Sequence, residues 1–204
     1  MAVQALQLLA LTVAAVLVGA WAAPRVGFCS RPVDRDWAHL KHDVWTSLAP
    51  GLLAGALIVG GDLVLSPLLG SEWARAEAEH PRTLLITAAG VLYGGLAEEL
   101  MLRWGVMSAL TYLIWIAFSR GTERPPKWSV HSAIVLAAVL FGVLHLGAVA
   151  AAVSLTPLII ARTVVLNAIA GVIFGLLFAR RSLEAAMVAH AMAHVTITAV
   201  ALLV

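Results

Sequence analysis

Residues 83–118 read TLLITAAGVLYGGLAEELMLRWGVMSALTYLIWIAF, an apolar stretch broken only by the charges of Glu98, Glu99 and Arg103. A helix crossing a bilayer needs about 20 predominantly apolar residues. This stretch is nearly twice that, so it predicts either one long, tilted or broken span or two short ones. Five further stretches of spanning length lie on either side of it, at 4–23, 46–69, 130–150, 157–179 and 183–203, with loops at 24–45, 70–82, 119–129, 151–156 and 180–182. The pattern predicts an all-α polytopic transmembrane helix bundle of about six spans. Residues 1–204 form a single integral membrane domain, because no interval between spans is long enough for a soluble one.

Loop charges choose between one crossing and two at 83–118. With one crossing, Arg25, Arg31, Arg35, Lys41, Arg120, Arg124, Lys127, Arg180 and Arg181 share one side, and only Arg75 and Arg82 lie on the other. The excess of Lys and Arg marks the cytoplasmic side, which places both termini outside. Two crossings would scatter the cations over both sides.

Composition agrees with this reading. Of 204 residues, 62% are apolar and 12% are charged, against about 25% charged in an ordinary soluble domain. The mean hydropathy is +0.97, which excludes a soluble enzyme of this size, since its interior could not hide so much apolar surface. The formal net charge of +2 is spread over short loops, with no basic tract to neutralise phosphates, so no nucleic-acid partner is expected. The lone Cys29 excludes an internal disulfide and a cysteine cluster. Ala20-Trp21-Ala22-Ala23 looks like a signal cleavage site, but the basic segment that precedes such a site is missing, so the first apolar stretch reads as a retained span. Gly51/Gly55, Gly90/Gly94 and Gly171/Gly175, each pair four apart, predict close helix approach and carry no chemistry of their own.

Ionisable groups inside a span cost several kcal/mol and are functional candidates by default. Glu98, Glu99, Arg103, His145, His190 and His194 are the principal ones, with Asp62, Arg162 and Asn167 as further polar intrusions. Glu99 and Arg103, four apart, share a helix face and can pair, which leaves Glu98 as the more reactive carboxylate. His190 and His194 are stacked on one face of the last span by the same spacing. Asp62 and Arg162 are expected to line water or reach toward span ends, and Asn167 to bond between helices. A carboxylate and a histidine can deprotonate water while two other polar groups stabilise the oxyanion formed on an amide. The same residues could instead ligate a metal, and the residue pattern alone leaves both open.

Glu98-Glu99-Leu100-Met101-Leu102-Arg103 fits an EExxxR motif, Phe141-Gly142-Val143-Leu144-His145 an FxxxH motif, and His190-Ala191-Met192-Ala193-His194 falls where HxxxN is expected. In this order, over about residues 88–200, the set resembles the CAAX prenyl protease and bacteriocin-processing (CPBP, ABI) family of intramembrane proteases. The resemblance implies an intramembrane endopeptidase hydrolysing a peptide bond of a membrane-associated protein or peptide, with its site opening to the cytoplasmic side. It implies Glu98 as catalytic carboxylate, His145 as its partner in activating water, His190 and His194 as the oxyanion site, and Glu99 with Arg103 as a supporting pair. The motif-bearing core is then 83–204, and 1–82 adds two spans and loops without a motif. His194 departs from the expected Asn. An imidazole can donate as an amide does, but it can also bind metal, so zinc held by Glu98, His145, His190 and His194 is the alternative to a cofactor-free site. The alternative function is a non-proteolytic protein of the same fold, acting as a proton or ion relay or as a bacteriocin-immunity or binding protein. Short loops point to a prokaryotic plasma membrane.

Overall fold

The computed structural model describes residues 2–203, and among them every regular element is helical. Six helices are long and apolar enough to cross a membrane, at Leu6–Val26, Trp37–Leu68, Leu84–Phe118, Lys127–Ala150, Pro157–Arg180 and Leu183–Ala201. Leucines on their outer faces, among them Leu9, Leu17, Leu63, Leu85 and Leu92, are exposed, as lipid contact requires. The protein is an integral membrane helix bundle.

Its elements run α1 Ala2–Val26, α2 Trp37–Leu65, α3 Ser71–Glu79, α4 Leu84–Ala89, α5 Ser108–Phe118, α6 Lys127–Leu144, α7 Leu146–Ala150, α8 Pro157–Arg180 and α9 Leu183–Ala201. Two departures from the expected boundaries have local causes. The second span starts at Trp37, well before 46, because the Asp36 side chain caps it by accepting from His39 N at 3.3 Å. The 70–82 loop contains α3, whose Trp73 is buried against Leu69, Val153 and Ile159.

The long third span is a single crossing. Between α4 and α5 its backbone takes the wide π form over Gly90–Glu98 and Leu100–Met107. Glycines at 90, 94, 95 and 105 lie in this region; they weaken the α-helix, and π turns often mark functional sites. As a straight α-helix, 35 residues would measure about 50 Å, well beyond a hydrocarbon core of about 30 Å.

Loop contacts sort the two ends of the bundle. At one end Cys29 Sγ donates to Arg181 O (3.0 Å), Ser30 Oγ to Glu184 Oε1 (2.6 Å), Arg31 Nε to Asp43 Oδ2 (2.8 Å) and Ser182 Oγ to Asp43 Oδ2 (2.9 Å). Burial pushes the Cys29 thiol pKa up, and the Asp43 carboxylate raises that of Arg31. Arg25 and Arg120 border a common cleft at this end. At the other end Ser154 N donates to Glu72 Oε1 at 2.9 Å, joining the 70–82 and 151–156 loops. The nine cations therefore collect at one end, as a single third crossing requires.

Small residues set the helix spacing. A Cβ on Gly51 would lie 2.5 Å from Ala189 O, and one on Gly55 2.6 Å from Thr196 Cβ, so α2 presses against α9. Gly171 and Gly175 let α8 approach α6, where an added Cβ would lie 3.0 Å from Ala138 Cα and from Ile134 Cγ2. A buried core of Met107, Ile134, Phe174, Phe178 and the alanines of α9 fills the centre.

Candidate active site

The site is built where the π region of the third span meets α6, α8 and α9. Glu99 is fully buried and makes two contacts: Oε2 lies 3.2 Å from Arg103 Nε, and Oε1 accepts from His190 Nδ1 at 2.8 Å. Arg103, also buried, donates from Nη2 to Gly171 O at 3.1 Å and lies over the rings of Phe141 and Phe174. The pair thus ties the third span to α8 and holds the His190 ring, a link that spacing along one helix did not reveal.

Glu98 points elsewhere. Its Oε2 is 3.9 Å from His190 Nε2, and it lines a groove of about 720 Å³ with Tyr93, Met101, Phe141, His145 and His194. Leu8, Leu11 and Leu102 give the groove an apolar wall. On its inner side a cavity of about 200 Å³ is lined by Arg82, His145, Thr163, Asn167, His190 and His194. His145 and His194 border both spaces, with Glu98 on the groove side and His190 on the inner side. Among the described residues the fully buried Thr163 hydroxyl, which lines this cavity, has no hydrogen-bond partner.

The imidazoles are fixed by stacking. Phe174 stacks on His190 at 4.6 Å between centroids, and His190 on His194 at 5.1 Å. Phe141 meets His190 and His145 edge-on. His145 ends α6, and its Nδ1 bonds the Phe141 carbonyl at 2.8 Å. A carbonyl only accepts, so His145 Nδ1 carries a proton, and in the neutral ring Nε2 is the nitrogen with the lone pair.

Gly90 and Gly94, expected only to bring helices together, form the floor beneath the histidines. A Cβ on Gly94 would lie 2.7 Å from His194 Nε2 and 3.0 Å from His190 Nε2, and one on Gly90 would lie 2.6 Å from His194 Nδ1. Asp62 and Arg162 lie near span ends, as expected, and Arg162 lines the inner cavity. They also pair with each other, Arg162 Nε donating to Asp62 Oδ1 at 2.6 Å, and Arg162 covers the Trp73 ring. Asn167 bonds the Thr163 carbonyl of its own helix at 2.8 Å.

Arg82 gave no sign in the sequence beyond its place in a short loop. It is half-buried, borders both spaces, and donates to His194 Nδ1 at 2.8 Å and to Thr198 Oγ1 at 3.3 Å. Burial pushes its pKa below the usual arginine value.

Among the described residues, no three His, Cys, Asp or Glu side chains converge closely enough to hold a metal ion. Glu98, His145, His190 and His194 are divided between the groove and the inner cavity and do not form the tetrahedral cluster zinc requires.

The three histidines converge on a cavity sunk within a bundle of membrane-spanning helices. The chain belongs to the type II CAAX prenyl endopeptidase Rce1-like family, whose model matches residues 80–196. The match spans the EExxxR, FxxxH and HxxxH segments, so the protein belongs to a protease family of the membrane. No curated protein and no solved structure matches the chain.

Proposed function

We propose that the protein is an intramembrane endopeptidase that cleaves a peptide bond of a membrane-associated substrate by attack of an activated water. One observation carries this: Glu98, His145 and His194 border a single groove with an apolar wall, and His190 reaches it from the inner side. Water in the groove gives a proton to Glu98, with the His145 Nε2 lone pair orienting it, and the hydroxide attacks the amide carbon. His190 Nε2, beside Glu98, takes up that proton and then donates to the oxyanion, together with His194. The proton finally passes to the leaving amine, so one water and one peptide bond yield a carboxyl and an amine terminus. The Glu99–Arg103 pair anchors His190 throughout.

The groove and the cavity share Arg82 with a third space, under α3 at the loop 70–82 end. That end is opposite the nine cations. We infer from loop charge that the mouth lies outside the cytoplasm, whereas the family resemblance implied a cytoplasmic opening.

The test is to reconstitute the protein in liposomes with solubilised membrane proteins, in water enriched in ¹⁸O, and to sequence the new termini. Hydrolysis predicts new C-termini that carry the label. Ion flux across the liposomes without new termini would instead assign the buried charges to a relay.

A further inference from the structure

We propose that Arg82 is a positioning residue that holds His194 in the tautomer with its proton on Nε2, so that the ring offers an N–H to the reacting carbonyl. Its consequence for rate rests on the proteolytic reading above; the tautomer itself rests on geometry alone.

Arg82 Nη2 lies 2.8 Å from His194 Nδ1. A guanidinium has five N–H donors, no acceptor, and keeps its charge in proteins. The short contact therefore requires Nδ1 to be the accepting nitrogen. A neutral imidazole carries one N–H, which must then sit on Nε2, the atom that faces Gly94 and the site. His145 and His190 have the opposite arrangement, since their Nδ1 atoms meet a carbonyl and a carboxylate, which only accept. Three histidines around one space thus divide into two with Nδ1–H and one with Nε2–H, and the difference is imposed by their partners.

Arg82 is suited to this task. Its Nε is anchored on the buried Thr198, which is hydrogen-bonded in turn to Thr87 of α4. Its hydrogen bonds go to His194 and Thr198, and among the described residues no ion pair includes it. The substitution of His for the expected Asn at 194 gives this a chemical reason. An amide always has N–H groups to offer, whereas an imidazole offers one on the correct side only if something selects the tautomer. A wrong tautomer is costly in catalysis by histidine, and loss of one oxyanion donor alone costs about 10²–10³ in kcat.

The experiment has two arms. In the first, the protein is labelled with ¹⁵N at the histidine rings in lipid nanodiscs, and the His194 signals are identified by their loss in His194→Asn. The wild type should show a protonated Nε2 and an unprotonated Nδ1, and Arg82→Ala should move proton density to Nδ1. A wild-type His194 protonated at Nδ1, or a tautomer unchanged in Arg82→Ala, overturns the proposal. The wild-type spectrum decides the matter by itself if Arg82→Ala does not fold. In the second arm, cleavage of a fluorogenic peptide built on the strongest new terminus is compared in four proteins. Arg82→Ala should lose about 10²-fold in kcat with little change in KM. His194→Asn should stay within about tenfold of wild type, and the double variant Arg82→Ala/His194→Asn should match His194→Asn. A double variant as impaired as Arg82→Ala shows that Arg82 acts on something other than the tautomer. Absence of new termini with the wild-type protein overturns the proteolytic reading and leaves the spectra as an independent test.

Discussion

Glu98 and Glu99 are adjacent in the chain and differ in their surroundings. Glu99 is fully buried between Arg103 and His190, while Glu98 borders the groove. Replacing one member of a buried ion pair leaves the other charge unpaired, at a cost of about 3–5 kcal/mol. Glu99→Gln is therefore expected to lower the yield of folded protein and its melting temperature, because an amide can still accept from His190 but cannot neutralise Arg103. Size-exclusion profiles and thermal melts in detergent check this; an unaltered melt would show that the pair carries no structural load. At this scale the sequence was informative where a motif met a spacing rule. Four residues of separation brought Glu99 to Arg103 and His190 to His194. It was silent on Arg82 and on the hold of Glu99 on His190, since both contacts join segments about 90 or more residues apart and no local periodicity encodes them.

At the level of elements, the bundle depends on where side chains are missing. Gly51 faces Ala189, one residue before His190, and its absent Cβ lets α2 lie directly on α9. Gly60, on the same helix, faces nothing within 4 Å. Gly51→Leu should push α9 off α2, lowering both stability and cleavage, whereas Gly60→Ala should be neutral or gain up to about 1 kcal/mol from the better helix former. Paired thermal melts and cleavage assays test the contrast, and equal effects at the two sites would deny that close approach is what Gly51 supplies. Six spans were readable because each is a long apolar run. Their ends were less so: the cap at Asp36 and the short helix α3 depend on polar residues that resemble loop. The π region of the third span was not readable, because a length excess is equally consistent with tilt, a break or a wider turn. The Gly90/Gly94 pair shows the same limit, since small-residue spacing announces a close neighbour without saying that the neighbour is a pair of imidazoles.

For the whole molecule, the two ends differ in charge and in access to the site. Single cysteines at Ser71 and Glu123, both exposed, in a Cys29→Ala background probe the two ends; Glu123 is preferred to Thr122, whose hydroxyl accepts from Trp115. In intact cells a membrane-impermeant maleimide should label Ser71→Cys and spare Glu123→Cys. The reverse pattern would place the mouth of the site in the cytoplasm and show that the nine cations do not set the topology.

The central claim is that Glu98 takes the proton from the attacking water, and Glu98→Gln tests it most directly. Glutamine keeps the shape and volume of the side chain but cannot accept that proton. Wild-type and Glu98→Gln proteins, both monodisperse in detergent, are incubated with the same membrane proteins, and new peptide termini are counted. The expected result is termini with the wild type and none above background with Glu98→Gln. Termini that persist in a folded Glu98→Gln protein would contradict the claim.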